Sequence, residues 1–316
     1  MAIASPLMDL RVFIEPQQGA SYERVLTLAR VAERLGYNGF FSSDHYMKMS
    51  DISGLPGPLD TWTTLAGLAR DTTRLRLGPL VTPVTFRLPG PLAIAVAQID
   101  AMSGGRVELS LGAGWFETEH KAYGIPFPPT KQRFEMLTEQ LDIITGLWST
   151  PVGERFSYDG AHYQVVDSPA LPKSKQQPRP PVILGGHGAK RTPALAAKHA
   201  DEFNLPFAPL NGFRAQRKRV RAACESVGRD PESMRFSAAL VLCCGADEAD
   251  LARRAASIGR DVSELRETGA AGTTAEVTEK LLAFRDAGAS RIYLQTLDID
   301  DTDHLELVAA EVAPHL

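Results

Sequence analysis

The chain has 316 residues, of which 44% are hydrophobic and 23% charged, an ordinary globular composition that excludes long disorder and a fibrous repeat. Its formal net charge of −4 gives no general attraction for nucleic acid or for an anionic membrane surface, so a small molecule is the expected partner.

From the N-terminus, a short apolar run at Leu10 to Ile14 predicts a first strand. A helix over Ser21 to Leu35 follows, with Val25, Leu28, Ala29, Ala32 and Leu35 at helical spacing and Gly36 as its stop. Next come a strand at Gly39 to Ser42, a helix from Asp60 to Arg70, a strand at Leu75 to Leu80 and a helix from Pro91 to Met102. Val107 to Leu111 reads as the fourth strand and the stretch near Arg133 to Trp148 as a long helix. Pro181 to Leu184 and Phe203 to Leu205 read as the fifth and sixth strands, each before a helix, at Thr192 to His199 and around Phe213 to Ser226. Arg235 to Cys243 and Arg291 to Thr296 complete the series, again each before a helical pattern.

Strands that alternate with helices make a parallel sheet, and eight such units point to a closed α/β barrel of the (β/α)8 TIM type, with a doubly wound open sheet as the alternative. The stretch Thr150 to Gln177, with FSYDGAHYQVVDS and its Asp-Gly turn, predicts a hairpin inserted after the fourth unit, within about 150–180. The Pro-rich PKSKQQPRPP is an extended connector, so one domain is expected over 1–316.

In such a barrel the chemistry sits in the loops after the strands. Glu15 follows the first strand, Ser43, Asp44 and His45 the second, and Thr82 the third. Gly112, Ala113, Gly114 and Trp115 follow the fourth, and Gly185, Gly186, His187 and Gly188 the fifth. The GGHGAKRT stretch lies between a strand and a helix and could cradle a phosphate on backbone N–H groups, with Lys190 and Arg191 adding positive charge; a tight turn without a ligand is the plain alternative. His45 could give a hydrogen bond or a proton to a reacting ring, or could be an ordinary loop histidine. Glu15 could relay protons or pair with a cation such as Arg87. Trp115 and Phe116 could line an aromatic pocket or cover the loop.

Other chemistries lack their patterns. The seven histidines form neither HxH nor HExxH, and Cys224, Cys243 and Cys244 form no CxxC, so no metal and no disulfide framework is expected. There is no Walker A loop and no GxSxG elbow. The first residues show no basic-then-apolar leader, and no uninterrupted apolar run reaches the roughly 18 residues of a membrane span, so a cytoplasmic protein is expected.

Taken together, SSDHY after the second strand, LGPLVTPVTFRLPGPLAIAVAQIDAMSGGRVELSLGAGW across the third and fourth units, and PPVILGGHG at the fifth resemble the luciferase-like monooxygenase superfamily. More narrowly they resemble its branch of oxidoreductases that use the deazaflavin coenzyme F420, over about Leu10 to Ala310. The resemblance implies a barrel that is usually a homodimer and that binds a flavin-like ring at the carboxyl ends of its strands. It implies a ring over Val81, a non-prolyl cis peptide between Leu80 and Val81, and contacts from Asp44, His45, Thr82, Gly112, Ala113 and Thr118. Phosphate would lie at Gly185, Gly186, His187 and Gly188. Relatives of this branch carry GxGE on the fourth strand, where this chain reads Gly112-Ala113-Gly114-Trp115. The proton relay implied by that glutamate therefore moves to Glu15, with Glu117, Glu119 and His120 behind it. The implied activity is hydride transfer between the deazaflavin C5 and a small organic substrate, with His45 and Glu15 as catalytic residues. An FMN-dependent monooxygenase is the alternative, and a deazaflavin-binding protein without chemistry a further one.

Overall fold

The computed structural model describes residues 8–49 and 52–316. Residues 1–7, over which the leader was sought, lie outside the described residues. β1 (Asp9–Ile14) runs through a 3-10 turn at Pro16–Gln18 into α1 (Tyr22–Leu35), which Ser21 caps by accepting from the Arg24 N–H and which Gly36 ends at φ 87°. β2 (Gly39–Ser42) precedes α2 (Thr61–Asp71), capped by the Asp60 carboxylate. β3 (Arg76–Pro79) and β4 (Thr82–Pro83) precede α3 (Pro89–Ser103), and β5 (Leu109–Gly112) precedes α4 (Glu117–Ala122) and α5 (Thr130–Ser149). The inserted hairpin is present as β6 (Phe156–Asp159) and β7 (Gln164–Ser168), paired antiparallel. β8 (Val182–Gly185), α6 (Arg191–His199), β9 (Glu202–Pro206), α7 (Leu210–Ser226) and β10 (Arg235–Gly245) continue the alternation. The chain ends with α8 (Glu248–Ser257), α9 (Val262–Thr268), β11 (Ala270–Thr273), α10 (Thr274–Asp286), β12 (Arg291–Gln295) and α11 (Thr302–Glu311).

The sheet runs β3-β2-β1-β12-β10-β9-β8-β5-β4, with β11 paired to β10 off that path. The ring closes because the third stave reaches both neighbours. β3 pairs with β2, β4 pairs with β5, and the Leu77 N–H donates to the Arg106 carbonyl at 3.0 Å. The expected third strand is therefore broken into two at Leu80–Val81, and the peptide there is cis. The sequence reading did not anticipate β11: it extends the end of β10 beyond the ring, and α8 and α9 come with it.

Alternation along the staves fills the barrel in layers, as the two-residue period of a strand requires. On β1 the inward series is Arg11, Phe13 and then Glu15; on β12 it is Arg291, Tyr293 and then Gln295. Arg11 and Arg291, with Glu108, Glu202 and Asp9, form the floor. Arg11 meets Glu108 at 2.6 Å and Asp9 at 2.9 Å, and Arg291 meets Asp9 at 2.7 Å and pairs with Glu202. Above them Phe13, Phe41, Ile183, Ala239 and Tyr293 make an apolar layer under Leu80 and Val81. Two glycines make room: a Cβ on Gly39 would lie 3.1 Å from Arg11 Cδ, and one on Gly78 would lie 2.6 Å from a Phe41 ring carbon. Among the described residues no helix is long and apolar enough to cross a membrane.

Candidate functional site

Above the apolar layer the ends of the staves enclose a cavity of about 640 Å³. Glu15, Ser43 and His45 enter it from β1 and β2, Leu80 and Val81 from the broken third stave, and Gly112 to Trp115 from β5. Gly185 to Gly188 follow from β8, opposite Asn204, Pro206 and Phe207 of β9. The loops named from the first five sequence units thus converge on one space.

His45 stands on this wall with its side chain 13% exposed, and its Nδ1 lies 2.8 Å from Oε1 of Glu119 on α4. The other carboxylate oxygen of Glu119 accepts the Tyr46 N–H at 2.9 Å. Glu119 is wholly buried. Asp44 and Thr82, expected to touch the cofactor, stand behind the wall instead. Asp44 has no exposed surface, is paired with Arg87 and accepts the Thr82 hydroxyl at 2.8 Å. Thr82 in turn accepts the Trp62 indole N–H at 3.0 Å. Burial pushes the Asp44 carboxyl up from its ordinary range, against the pull of Arg87. Arg87 also holds Asp60, so the cation suggested for Glu15 serves the second stave instead.

Among the described residues, Glu15 is the one carboxylate lining this cavity. Its neighbours are neutral: Gln295 donates to Oε1 at 2.9 Å and Gln18 to Oε2 at 3.1 Å. The other candidates for the relay are placed elsewhere. Glu117 is exposed and paired with Lys121 at 2.8 Å, and His120 is buried against the Thr85 hydroxyl and the Phe116 carbonyl at 2.6 and 2.8 Å. Thr118, also expected at the cofactor, is exposed on α4 and does not line the cavity. Trp115 is 66% exposed at the rim. Phe116 is not part of the lining; it stacks on Trp115 and meets the His45 ring edge-on at 6.2 Å.

Glu15 also borders a second, wider chamber of about 890 Å³, and Met49 and Phe207 are likewise common to both. Its far side is supplied by Val241, Ser257, Arg260, Thr268 and Asp298, from the segments around β10, α8, α9 and β12.

The glycine loop fits a phosphate cradle. A Cβ on Gly185 would lie 2.3 Å from the Asn204 carbonyl oxygen and one on Gly188 2.6 Å from the Thr192 hydroxyl, while Gly186 has φ +125°. Gln216 of α7 fixes the loop by donating to the Gly186 and Gly188 carbonyls at 3.2 and 2.9 Å. The N–H groups of His187 and Gly188 have no partner among the described residues and stand exposed at the cavity edge, open to solvent or to an anion. On β5, a Cβ on Gly112 would lie 2.7 Å from Val81 Cγ2, so glycine there lets Val81 stand at the centre of the wall.

Asn204, Phe207 and Gln295 were missed from sequence because only the first five strand ends were inspected. The same rule applied to the sixth unit reaches Phe207, whereas Asn204 and Gln295 lie inside the expected sixth and eighth strands and need the inward alternation of those strands to be found.

The luciferase-like monooxygenase family profile matches residues 8–279. The F420-dependent hydroxymycolic acid dehydrogenase of Mycobacterium tuberculosis (strain ATCC 25618 / H37Rv) is 29% identical over 75% of this chain and 63% of its own length. Pyrimidine monooxygenase RutA of Stutzerimonas stutzeri (strain A1501) is 28% identical over 78% of this chain and 71% of its own. Matches to the first curated relatives thus span about half to two-thirds of those proteins. The coenzyme F420 dependent tetrahydromethanopterin reductase of Methanopyrus kandleri shares the fold with a TM-score of 0.81 at 18% identity, over 98% of this chain and 99% of that one. The chain belongs to the luciferase-like monooxygenase family, whose members here use F420 or reduced FMN.

Proposed function

We propose that this family member is an F420-dependent oxidoreductase that transfers hydride between the deazaflavin C5 and a small organic substrate. The observation that carries the reading is the convergence of His45, the Leu80–Val81 junction and the Gly185–Gly188 loop on one cavity, with Glu15 as its carboxylate. Bound F420 supplies the ring carbon that gives or takes the hydride. Leu80 and Val81 would back the ring, Gly112 and Ala113 would border it, and the His187 and Gly188 N–H groups would hold the phosphate. His45 stabilises charge at the reacting partners from the wall. Glu15, flanked by neutral amides, takes or returns the proton that accompanies hydride transfer. Support for the deazaflavin comes from the family order of the SDH, TPVTFR and GGHG stretches.

Trp115, in place of a glutamate after Gly114, is the observation that favours a second reading as an FMN-dependent monooxygenase on the same barrel. Titration of the protein with F420 and with FMN, followed by fluorescence quenching, separates the two. Tighter binding of F420 is expected; FMN binding without measurable F420 affinity overturns the assignment.

A further inference from the structure

Glu119 lies outside the cavity, yet among the described residues it is the sole hydrogen-bond partner of a ring that lines it. The carboxylate is wholly buried, and no Lys or Arg pairs with it among the described residues. Its two oxygens have separate duties: Oε2 accepts the Tyr46 backbone N–H at 2.9 Å, and Oε1 faces His45 Nδ1 at 2.8 Å. An ionised carboxylate only accepts, so facing one, Nδ1 is the nitrogen that carries hydrogen. Trp115 and Phe116 meet the imidazole edge-on at 5.8 and 6.2 Å and limit its rotation. The second ring nitrogen, Nε2, has no partner among the described residues and is left to the cavity.

We infer that Glu119 is the positioning residue of the site: it holds the His45 ring hydrogen on Nδ1, so that the neutral ring meets the bound molecules with Nε2 as a hydrogen-bond acceptor. This reverses the donor role expected from sequence, because in the neutral ring only one nitrogen carries hydrogen and Glu119 claims it. The group on the other side must then be a donor, an O–H or N–H of the substrate or of the cofactor. The tautomer stands on the Glu119 contacts alone; its consequence for turnover rests on the proposed function.

Glu119→Gln keeps the volume and tests this directly. The Tyr46 N–H needs the amide oxygen, which turns the amide NH2 toward Nδ1 and moves the ring hydrogen to Nε2. The measurement is a long-range 1H–15N correlation spectrum of histidine-labelled protein without cofactor, with the His45 signals identified by their loss in His45→Gln. The expected result is a non-protonated Nε2 in the natural protein and a non-protonated Nδ1 in Glu119→Gln. Hydrogen on Nε2 in the natural protein overturns the inference, as does an Nδ1 hydrogen that survives Glu119→Gln. Should that variant fail to fold, the spectrum of the natural protein alone decides. With F420 and a substrate found by screening, Glu119→Gln should lose about 10²–10⁴-fold in turnover at nearly unchanged F420 affinity. A reversed tautomer with full turnover would leave the assignment standing and overturn the role given to His45 in the proposed function.

Discussion

The floor and the mouth of this barrel are built from the same staves, two positions apart in each inward series, and they treat charge in opposite ways. On the floor Glu108 is held by Arg11, Arg291 and Arg76, and Glu202 by Arg291 and the Tyr293 hydroxyl. Burial alone would push the Glu108 carboxyl up, but the three guanidinium groups hold it well below the usual carboxylate range. At the mouth Glu15 has, among the described residues, only amide partners and an open cavity in front of it. Charge that is closed and matched serves the fold, while charge left with neutral neighbours beside a cavity remains available for chemistry.

Glu108→Ala should produce the largest effect, because it leaves Arg11 buried without its main partner. A loss of about 3–5 kcal/mol in urea or thermal unfolding is expected, and a loss under 1 kcal/mol would break the comparison. Glu15→Gln should do the reverse. Unfolding and F420 affinity should stay close to those of the natural protein, while turnover falls by about 10²–10⁴. If stability fell as much as turnover, Glu15 would belong with the floor.

Acid sharpens the contrast from outside both regions. His304 Nε2 accepts the Cys244 N–H at 2.8 Å, and burial pushes this histidine down to about 4. Because its folded-state value lies below the unfolded value of about 6.5, its stabilisation is full above pH 6.5 and fades as pH falls toward 4. The loss on full protonation is about 3 kcal/mol. Glu108, held lower still, keeps its contribution down to about pH 4.5 and loses most of it only below pH 4. Unfolding free energies measured from pH 7 to 4 should therefore fall, and His304→Gln should flatten the slope; an unchanged slope removes His304 as the cause.

Most of the staves, and the loops after the first five, were legible from local pattern, because apolar runs and helix stops such as Gly36 are recorded in neighbouring residues. The floor was not. Arg11 in DLRVFIE reads as an interruption of a strand until closure brings Glu108 to it, and nothing local links positions 97 apart. Asp44 shows the same limit: sequence places it beside His45, but only the packed stave shows that it turns away toward Arg87 and Thr82. Glu119 was visible as one carboxylate of a short acidic stretch. Which of its acids faces His45, 74 positions earlier, depends on how the six-residue α4 is rotated against the second stave.

The pair of chambers that meet at Glu15 has a consequence for what can share the site. One is walled by the glycine loop and the Leu80–Val81 junction, the other by the α8–α9 excursion, and among the described residues only Glu15, Met49 and Phe207 belong to both. A molecule held in either chamber lies beside the same carboxylate, so two neighbouring occupants would share one group able to carry a proton. Of the two chambers, the α8–α9 excursion lines the wider one alone, so substitutions at Ser257, Arg260 or Thr268 alter that chamber's lining while the glycine loop and the Leu80–Val81 junction stay as they are.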